Sequence, residues 1–377
     1  MTQSNLSIYI IGGGPAGCAT ALALHQQALN SRHELHITLC DAPNKSAPAI
    51  GETVPPMLTQ YLNELNIASI LETTDHLICP GSISKWQDDT PGYNDFFFTP
   101  VGNGFHLNRT TFNAQLQDAC RERKIKVIND TRLSEVRIQQ QKLELTLKTD
   151  GKQKQHYCDF VVDASGHSRS VTNRLNIAQN NLDHVVSICA FYDLKGTPKN
   201  AAHTLVSSAE KGWWYGTRLP DDKALVSLCT DTKALKENNF NSIENWYQYF
   251  STTDWFYQQC CKQFGGLLGV PEEIHLRPSS SSILSNVVGQ NWLAVGDAAS
   301  SYDSISSAGI TKSVYHGIKA GHALANLIWT GSNKALSNYQ ETVFSDFNQY
   351  LQQHQMHYHA GGGKFNHKGF WGRRLLA

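Results

Sequence analysis

A run of β-forming residues, Leu6-Ser7-Ile8-Tyr9-Ile10-Ile11, stops at three consecutive glycines, and an Ala/Leu-rich helical run follows at once. No other stretch constrains the fold as tightly. A strand, a glycine turn and a helix in that order give the G-x-G-x-x-G pattern its structural context. Gly12 is expected to make the tight turn. Gly14 lets backbone approach a pyrophosphate, and Gly17 lets the helix pack close to the strand. The helix start, with Pro15 and Ala16 in its first turn, then offers unpaired N–H groups from Ala16 onward and a partial positive charge to phosphates. The motif predicts a bound dinucleotide.

Composition excludes several classes. Lys plus Arg and Asp plus Glu balance at 32 each, so no global field favours nucleic acid or anionic lipid. At 40% hydrophobic and 17% charged, the 377 residues suit a soluble protein with one large core or two cooperating ones. No apolar run approaches the roughly 20 residues that span a bilayer, and the first strand begins by about residue 6 without a signal peptide ahead of it. The nine cysteines are scattered without a C-x-x-C, which reads as reduced thiols in the cytoplasm.

A second strand, His36–Cys40, leads to Asp41, 24 residues past Gly17, where an acid accepts hydrogen bonds from an adenosine ribose. Next comes Ala49-Ile50-Gly51-Glu52-Thr53-Val54-Pro55-Pro56, a stiff loop before a helix over Met57–Leu65. Residues 80–105 alternate polar and aromatic side chains, as strands lining a pocket do. The sequence Gly104-Phe105-His106-Leu107-Asn108-Arg109 then opens a helix over Thr111–Arg123. Strands are expected over 127–147, and a buried strand ends in Phe160-Val161-Val162-Asp163-Ala164-Ser165-Gly166-His167-Ser168-Arg169-Ser170. From about 176 to 283 the pattern becomes alternating strands and includes Lys211-Gly212-Trp213-Trp214-Tyr215-Gly216-Thr217-Arg218-Leu219-Pro220. A further strand runs into Trp292-Leu293-Ala294-Val295-Gly296-Asp297, and a long helix starts near Gly309.

The loop G-E-T-V-P-P after a glycine-rich first turn resembles that of the flavin-dependent tryptophan halogenases and related aromatic monooxygenases. The stretch from Asp163 resembles their D-x-(A/S)-(S/D/G)-G-x-x-S element, and the ending Phe370-Trp371-Gly372-Arg373-Arg374 resembles the monooxygenase branch. The resemblance implies FAD, bound by an α/β Rossmann-like domain of the hydroxylase type. It places that domain at 1–79, 106–175 and 284–330, an inserted antiparallel substrate sheet at 80–105 and 176–283, and a helical segment at 331–377. Beyond the fingerprint residues and Asp41, it implies cofactor contacts from Thr53 in the strap loop, Arg109 toward the phosphates and Leu133 near the adenine. It also implies Asp163, Asp297 at the ribityl chain, and Gly309 and Ile310 at the helix end aimed at the isoalloxazine.

Trp86, Trp213 and Tyr215 are candidate substrate-pocket residues; the alternative is that they are sheet core. Lys85, 33 residues after Glu52, falls where halogenases carry their lysine. Against halogenation, the family's F-x-x-P-x-x-S-x-G element reads Tyr302-Asp303-Ser304-Ile305-Ser306-Ser307-Ala308-Gly309, with Ser306 where halogenases have glutamate. Lys85 and Asp303 are the candidate catalytic side chains. His354, His357, His359 and His367 are irregularly spaced and read as surface histidines rather than a metal site.

Among monooxygenases, the chain most resembles the flavoproteins that mature tryptophylquinone-containing amino-acid oxidases, such as glycine oxidase and lysine ε-oxidase. That implies indole hydroxylation through a flavin C4a-hydroperoxide, on a tryptophan of a partner oxidase precursor. The co-substrates are O2 and electrons from NAD(P)H or a separate flavin reductase. A small-molecule aromatic hydroxylase or halogenase, and a non-catalytic flavin-bearing assembly partner, stay open as alternatives.

Overall fold

A computed structural model describes residues 6–29, 35–43, 53–139, 142–194, 196 and 202–375. Two sheets organise it. The first is six-stranded, in the order Val288–Gly289, Trp292–Ala294, Phe160–Asp163, Leu6–Ile11, Leu35–Cys40, Lys126–Ile128. Leu6–Ile11 lies at its centre, parallel to Leu35–Cys40 on one side and to Phe160–Asp163 on the other. Its neighbours come from far-separated parts of the chain, so the strand order turns at its carboxyl end, and such a turning point is where open parallel sheets bind ligands. Ile8, Ile10, Val161 and Val162 are almost wholly buried, as expected of strands covered on both faces.

The fingerprint helix Pro15–Leu29 covers one face and packs along the long helix Gly309–Thr330. Small residues set that approach. A Cβ on Gly317 would stand 2.7 Å from the Ala16 carbonyl oxygen, and one on Gly321 would stand 2.8 Å from the Ala23 Cβ.

The second sheet has seven strands, in the order Ile274–Pro278, Val185–Asp193, Lys223–Asp231, Gly212–Leu219, Thr204–Ala209, Gly81–Lys85, Gly92–Asp95. All its pairings are antiparallel except that of Thr204–Ala209 with Gly81–Lys85. Side-chain alternation sends Trp214 to one face, into a core with Trp246, Phe250 and Phe256 from the helices Ile243–Thr252 and Asp254–Phe264. Its neighbour Trp213 goes to the other face, against the C-terminal segment.

That segment is the 29-residue helix Lys334–Gly362 and the short helix Gly369–Leu375. The F-W-x-R-R ending fastens it to the second sheet. Trp371 Nε1 donates to the Ala209 carbonyl at 2.9 Å. Arg373 forks onto Asp231 at 2.7 and 2.9 Å, and Arg374 reaches the same carboxylate at 3.2 Å. All nine cysteines are free thiols. No described helix is long and apolar enough to cross a membrane.

The stretch 80–105 departs from the pocket-lining strands expected of it. Only Gly81–Lys85, Gly92–Asp95 and Gly104–His106 are strands, and Phe96–Phe98 forms a 3-10 turn. Gly92–Asp95 is a sheet edge, so Tyr93 and Phe97 stand 69% and 85% exposed.

Candidate flavin site and the aromatic face beside it

The fingerprint turn is built so that only glycine fits where backbone meets backbone. Gly12 has φ +121°, and a Cβ there would lie 2.2 Å from the Ala164 carbonyl oxygen. A Cβ on Gly17 would lie 1.9 Å from the oxygen of Gly12. Gly14 differs: nothing stands within 4 Å of its Cβ position, so the space it leaves open faces outward from the turn. At this end Cys18 N–H donates to the Gly14 carbonyl at 3.0 Å, with the N–H groups of Ala16 and Gly17 ahead of it.

Asp41 closes the turn from the side. Its Oδ1 accepts the Gly13 N–H at 2.9 Å, and its Oδ2 accepts Gln117 Nε2 at 2.8 Å. Gln117 also donates to the Gly13 carbonyl at 3.1 Å. Sequence reasoning missed Gln117, which carries no motif and is placed only by the face its helix presents. The Asp41 carbonyl accepts the Thr131 N–H at 2.8 Å, which brings the Thr131–Gln139 strand, with buried Leu133, up to the turn. Arg109 opens the helix Arg109–Glu122, capped by Asn108, whose Oδ1 accepts the Thr111 N–H at 3.1 Å.

Asp163 and Asp297 sit at neighbouring strand ends, since Asp163 pairs with Ala294 in register. Asp163 is wholly buried and folds its own loop. Its oxygens accept from Ser165 N–H and Oγ (3.2 and 2.6 Å), Val171 N–H (3.0 Å), Thr172 N–H (2.8 Å) and Thr172 Oγ1 (3.0 Å). Asp297 keeps a third of its side chain exposed and pairs with Lys312 at 2.9 Å and His167 at 3.6 Å. Burial pushes the Asp297 carboxyl up, but Lys312, His167 and Arg169 together outweigh it and hold the group below the usual carboxylate range. Lys312 also donates to the Ser300 carbonyl and lies 4.2 Å from the centre of the Tyr302 ring. A buried lysine one turn into a helix is a signal the sequence carried but did not explain.

At the start of Gly309–Thr330, Gly309 is exposed with nothing within 4 Å of its Cβ position, and Ile310 is buried beneath it. Among the described residues, Thr311 Oγ1 is buried there without a hydrogen-bond partner. An open glycine at each of two helix starts, an orphaned hydroxyl and a lysine-compensated carboxylate fit a long, anionic, hydrogen-bonding cofactor such as FAD. Gly51 and Glu52 of the strap loop lie outside the described residues.

Thr53 is described; its strand Thr53–Val54 pairs with Gly104–His106 in a small three-stranded sheet, and its side chain links that sheet to the seven-stranded one. Its Oγ1 is 2.6 Å from Tyr215 Oη, 2.9 Å from His106 Nδ1 and 3.3 Å from Thr204 Oγ1. His106 is wholly buried, and burial pushes its imidazole down to about 4. Its Nε2 lies 2.7 Å from the Ala202 carbonyl, which can only accept. That assigns the proton to Nε2 and leaves Nδ1 to accept from Thr53 or from Thr217, 3.0 Å away.

Trp213 is 1% exposed and packs in the core between the second sheet and the C-terminal segment, in line with the sheet-core alternative stated above. Trp86 meets Trp213 and Trp371 edge-on, with ring centroids 6.1 and 5.7 Å apart, and donates Nε1 to the His357 carbonyl at 2.8 Å. The physical reason is the C-terminal helix, which covers this face of the sheet.

The two candidate catalytic residues are not partners. Lys85 pairs at 3.1 Å with Asp89, an exposed residue of the hairpin turn. Asp303 is wholly buried; its Oδ2 accepts Tyr358 Oη at 2.5 Å and lies 3.4 Å from His354 Nε2. His354 is thus not a surface histidine, because its helix face turns into this cluster.

A family described as FAD-NAD(P)-binding matches residues 9–168. LodB of Marinomonas mediterranea, named as an FAD-dependent oxidoreductase, is 28% identical over 349 residues, which is 90% of this chain and 89% of its own. The flavin-dependent halogenase armH2 of Armillaria mellea is 28% identical over 172 residues, 44% of this chain and 32% of its own. Two solved structures share the fold. CmlS, a flavin-dependent halogenase, superimposes with a TM-score of 0.85 at 22% identity, over 100% of this chain and 68% of its own. QhpG, a peptidyl tryptophan dihydroxylase essential for tryptophylquinone cofactor biogenesis, gives 0.79 at 20% identity, over 98% of this chain and 79% of its own.

Proposed function

We propose that this chain, an FAD-dependent oxidoreductase of halogenase-like fold, is a monooxygenase acting on the indole ring of a tryptophan residue. The substrate in this reading is a partner amino-acid oxidase precursor on its way to a tryptophylquinone, with O2 and an electron donor, NAD(P)H or a separate flavin reductase, as co-substrates. Reduced flavin with O2 supplies an electrophilic oxygen atom; the protein's own residues bind, orient and exclude water. The N–H groups at Ala16 and Gly17 would hold the pyrophosphate, and Asp297, fixed by Lys312, would meet the ribityl hydroxyls. The start of Gly309–Thr330 would face negative charge developing on the ring. Trp213, Trp371 and Tyr358 close the back of the site as a dry aromatic wall.

One observation carries hydroxylation over halogenation. The Lys85 ammonium is spent on Asp89 in a surface turn, and Ser306, where halogenases have a glutamate, donates to the Asp303 carbonyl at 2.9 Å. This arrangement supports hydroxylation over halogenation. The peptidyl substrate is supported by the likeness to QhpG over 98% of this chain. Co-expression with an unmodified oxidase precursor, followed by weighing its tryptic peptides, tests the reading. The mass of one or two oxygen atoms on a tryptophan peptide is expected. Turnover of free tryptophan or indole with halide would replace it with the halogenase reading, which the fold shared with CmlS favours. A stable complex with a precursor that gains no mass would instead leave an assembly partner.

A further inference from the structure

The second sheet ends in an open edge. Gly92–Asp95 pairs only with Gly81–Lys85 among the described residues, and all four of its residues are exposed. Such an edge presents unpaired backbone donors and acceptors and is a ready template for another strand. Apolar side chains stand beside it: Tyr93 on the strand itself (69% exposed) and Phe97 in the following turn (85%).

The charge around this edge is predominantly acidic. Between residues 71 and 95 the exposed carboxylates are Glu72, Asp75, Asp88, Asp89 and Asp95, and the single Lys or Arg of that stretch is Lys85, already paired with Asp89; from other elements, His203 pairs with Asp95 at 2.9 Å and Lys364 lies near Asp88 and Asp89. His76 in the same stretch is buried, and burial lowers its pKa. Two copies of this chain meeting edge to edge would bring these carboxylates face to face, so self-pairing is disfavoured. A basic segment is complementary.

The edge is also in reach of the site. Register runs in one row from Gly92 to Ser84, Val206 and Tyr215, and Tyr215 hydrogen-bonds to Thr53 of the strap strand. Three strand spacings put the edge about 14 Å from Tyr215. A tryptophan on roughly five or six residues of extended chain beyond a docked strand covers that distance.

We propose that Gly92–Asp95 docks an extended, lysine- or arginine-bearing segment of the protein substrate as an eighth strand of the sheet. The inference rests on the peptidyl reading given above and names the surface that reading requires. Backbone pairing supplies part of the affinity. Because the strand is only four residues long, Tyr93, Phe97 and the surrounding carboxylates supply the rest.

The test uses the full-length, FAD-loaded protein and an unmodified tryptophylquinone-oxidase precursor. With Tyr93→p-benzoylphenylalanine, illumination is expected to cross-link the precursor at a basic, extended segment. Separately, Asp75→Lys with Asp88→Lys is expected to raise the Kd of the complex at least about tenfold in low salt, with the difference shrinking at high salt. Flavin absorbance and precursor-independent O2 consumption should stay unchanged. A cross-link to a second copy overturns the proposal, as does oxygenation of the precursor with neither cross-link nor charge effect, which leaves the reaction standing. Cross-linking to a precursor that gains no oxygen keeps the docking edge and removes the reaction. Absence of any complex removes both.

Discussion

Tyr358→Phe removes one oxygen atom from a wholly buried polar contact. The phenol donates to Asp303 Oδ2 at 2.5 Å and accepts Trp213 Nε1–H at 3.1 Å, inside a shell formed with Phe370 and Trp371. Burial, reinforced by the Asp303 carboxylate, pushes its pKa well above the ordinary phenol value, so it stays a donor at any working pH. Phenylalanine keeps the ring contacts and opens no large cavity, so the cost is polar. Losing a hydrogen bond to a charged group costs about 1.5–3 kcal/mol, and stranding the indole N–H adds about 1–3 kcal/mol, with some overlap. We expect a total of roughly 3–5 kcal/mol. At about 2.1 cal/mol/K per residue over the full chain, that lowers Tm by roughly 4–6 °C if unfolding is cooperative. Differential scanning calorimetry at pH 7 measures it. The fluorescence of the buried tryptophans reports the same transition independently. Asp303→Asn supplies the second corner of a cycle: the double variant should lose less than the sum of the singles, because both remove one contact. A Tm within about 1 °C of wild type, or strict additivity, would refute the assignment of Asp303 as a carboxylate held by Tyr358.

Three further outcomes follow from the site. Gly14→Ala should leave the Tm of the apoprotein within about 1 °C of wild type, because its Cβ meets nothing, yet weaken FAD binding by at least about tenfold, read by flavin fluorescence; Gly12→Ala and Gly17→Ala should fail to fold instead. Lys312→Met leaves the Asp297 carboxylate without its main counter-charge and should destabilise the protein by about 1–3 kcal/mol, with a matching loss of flavin affinity in equilibrium dialysis. His106 has a depressed pKa in the fold, so the stability it contributes is fully present above about pH 6.5 and is lost as pH falls toward about 4. The shift is worth about 3 kcal/mol in total, and urea unfolding of wild type against His106→Gln between pH 7 and 4.5 should show most of that difference closing.

The cofactor half of the protein was legible because its constraints are local. A turn that needs glycine at Gly12, a helix that starts at Pro15 and a carboxylate at a fixed distance along the chain are all properties of neighbouring residues. Asp163 was legible as a motif residue, but its five contacts come from its own loop, which no spacing rule distinguishes from a cofactor contact. The aromatic half was far less legible. Trp213 and Tyr215 sit two residues apart on one strand and share a face, yet one is sealed by the C-terminal helix and the other reaches Thr53. Those partners lie 145 and 162 positions away in the chain.

By itself, then, the amino-acid order determined a strand, a glycine turn and a helix at the start of the chain, further strands through its middle and a helical pattern at its end, since periodicity and turn chemistry act over a few residues; the inserted sheet was an expectation from the family resemblance. Only the packed structure decided which groups meet. It paired Lys312 with Asp297, buried Asp303 under Tyr358, tied Lys85 to a surface turn and left Gly92–Asp95 without a neighbour on its outer side among the described residues. Burial and long-range contact set charge, protonation and accessibility, and these depend on segments a hundred or more residues apart arriving at the same place.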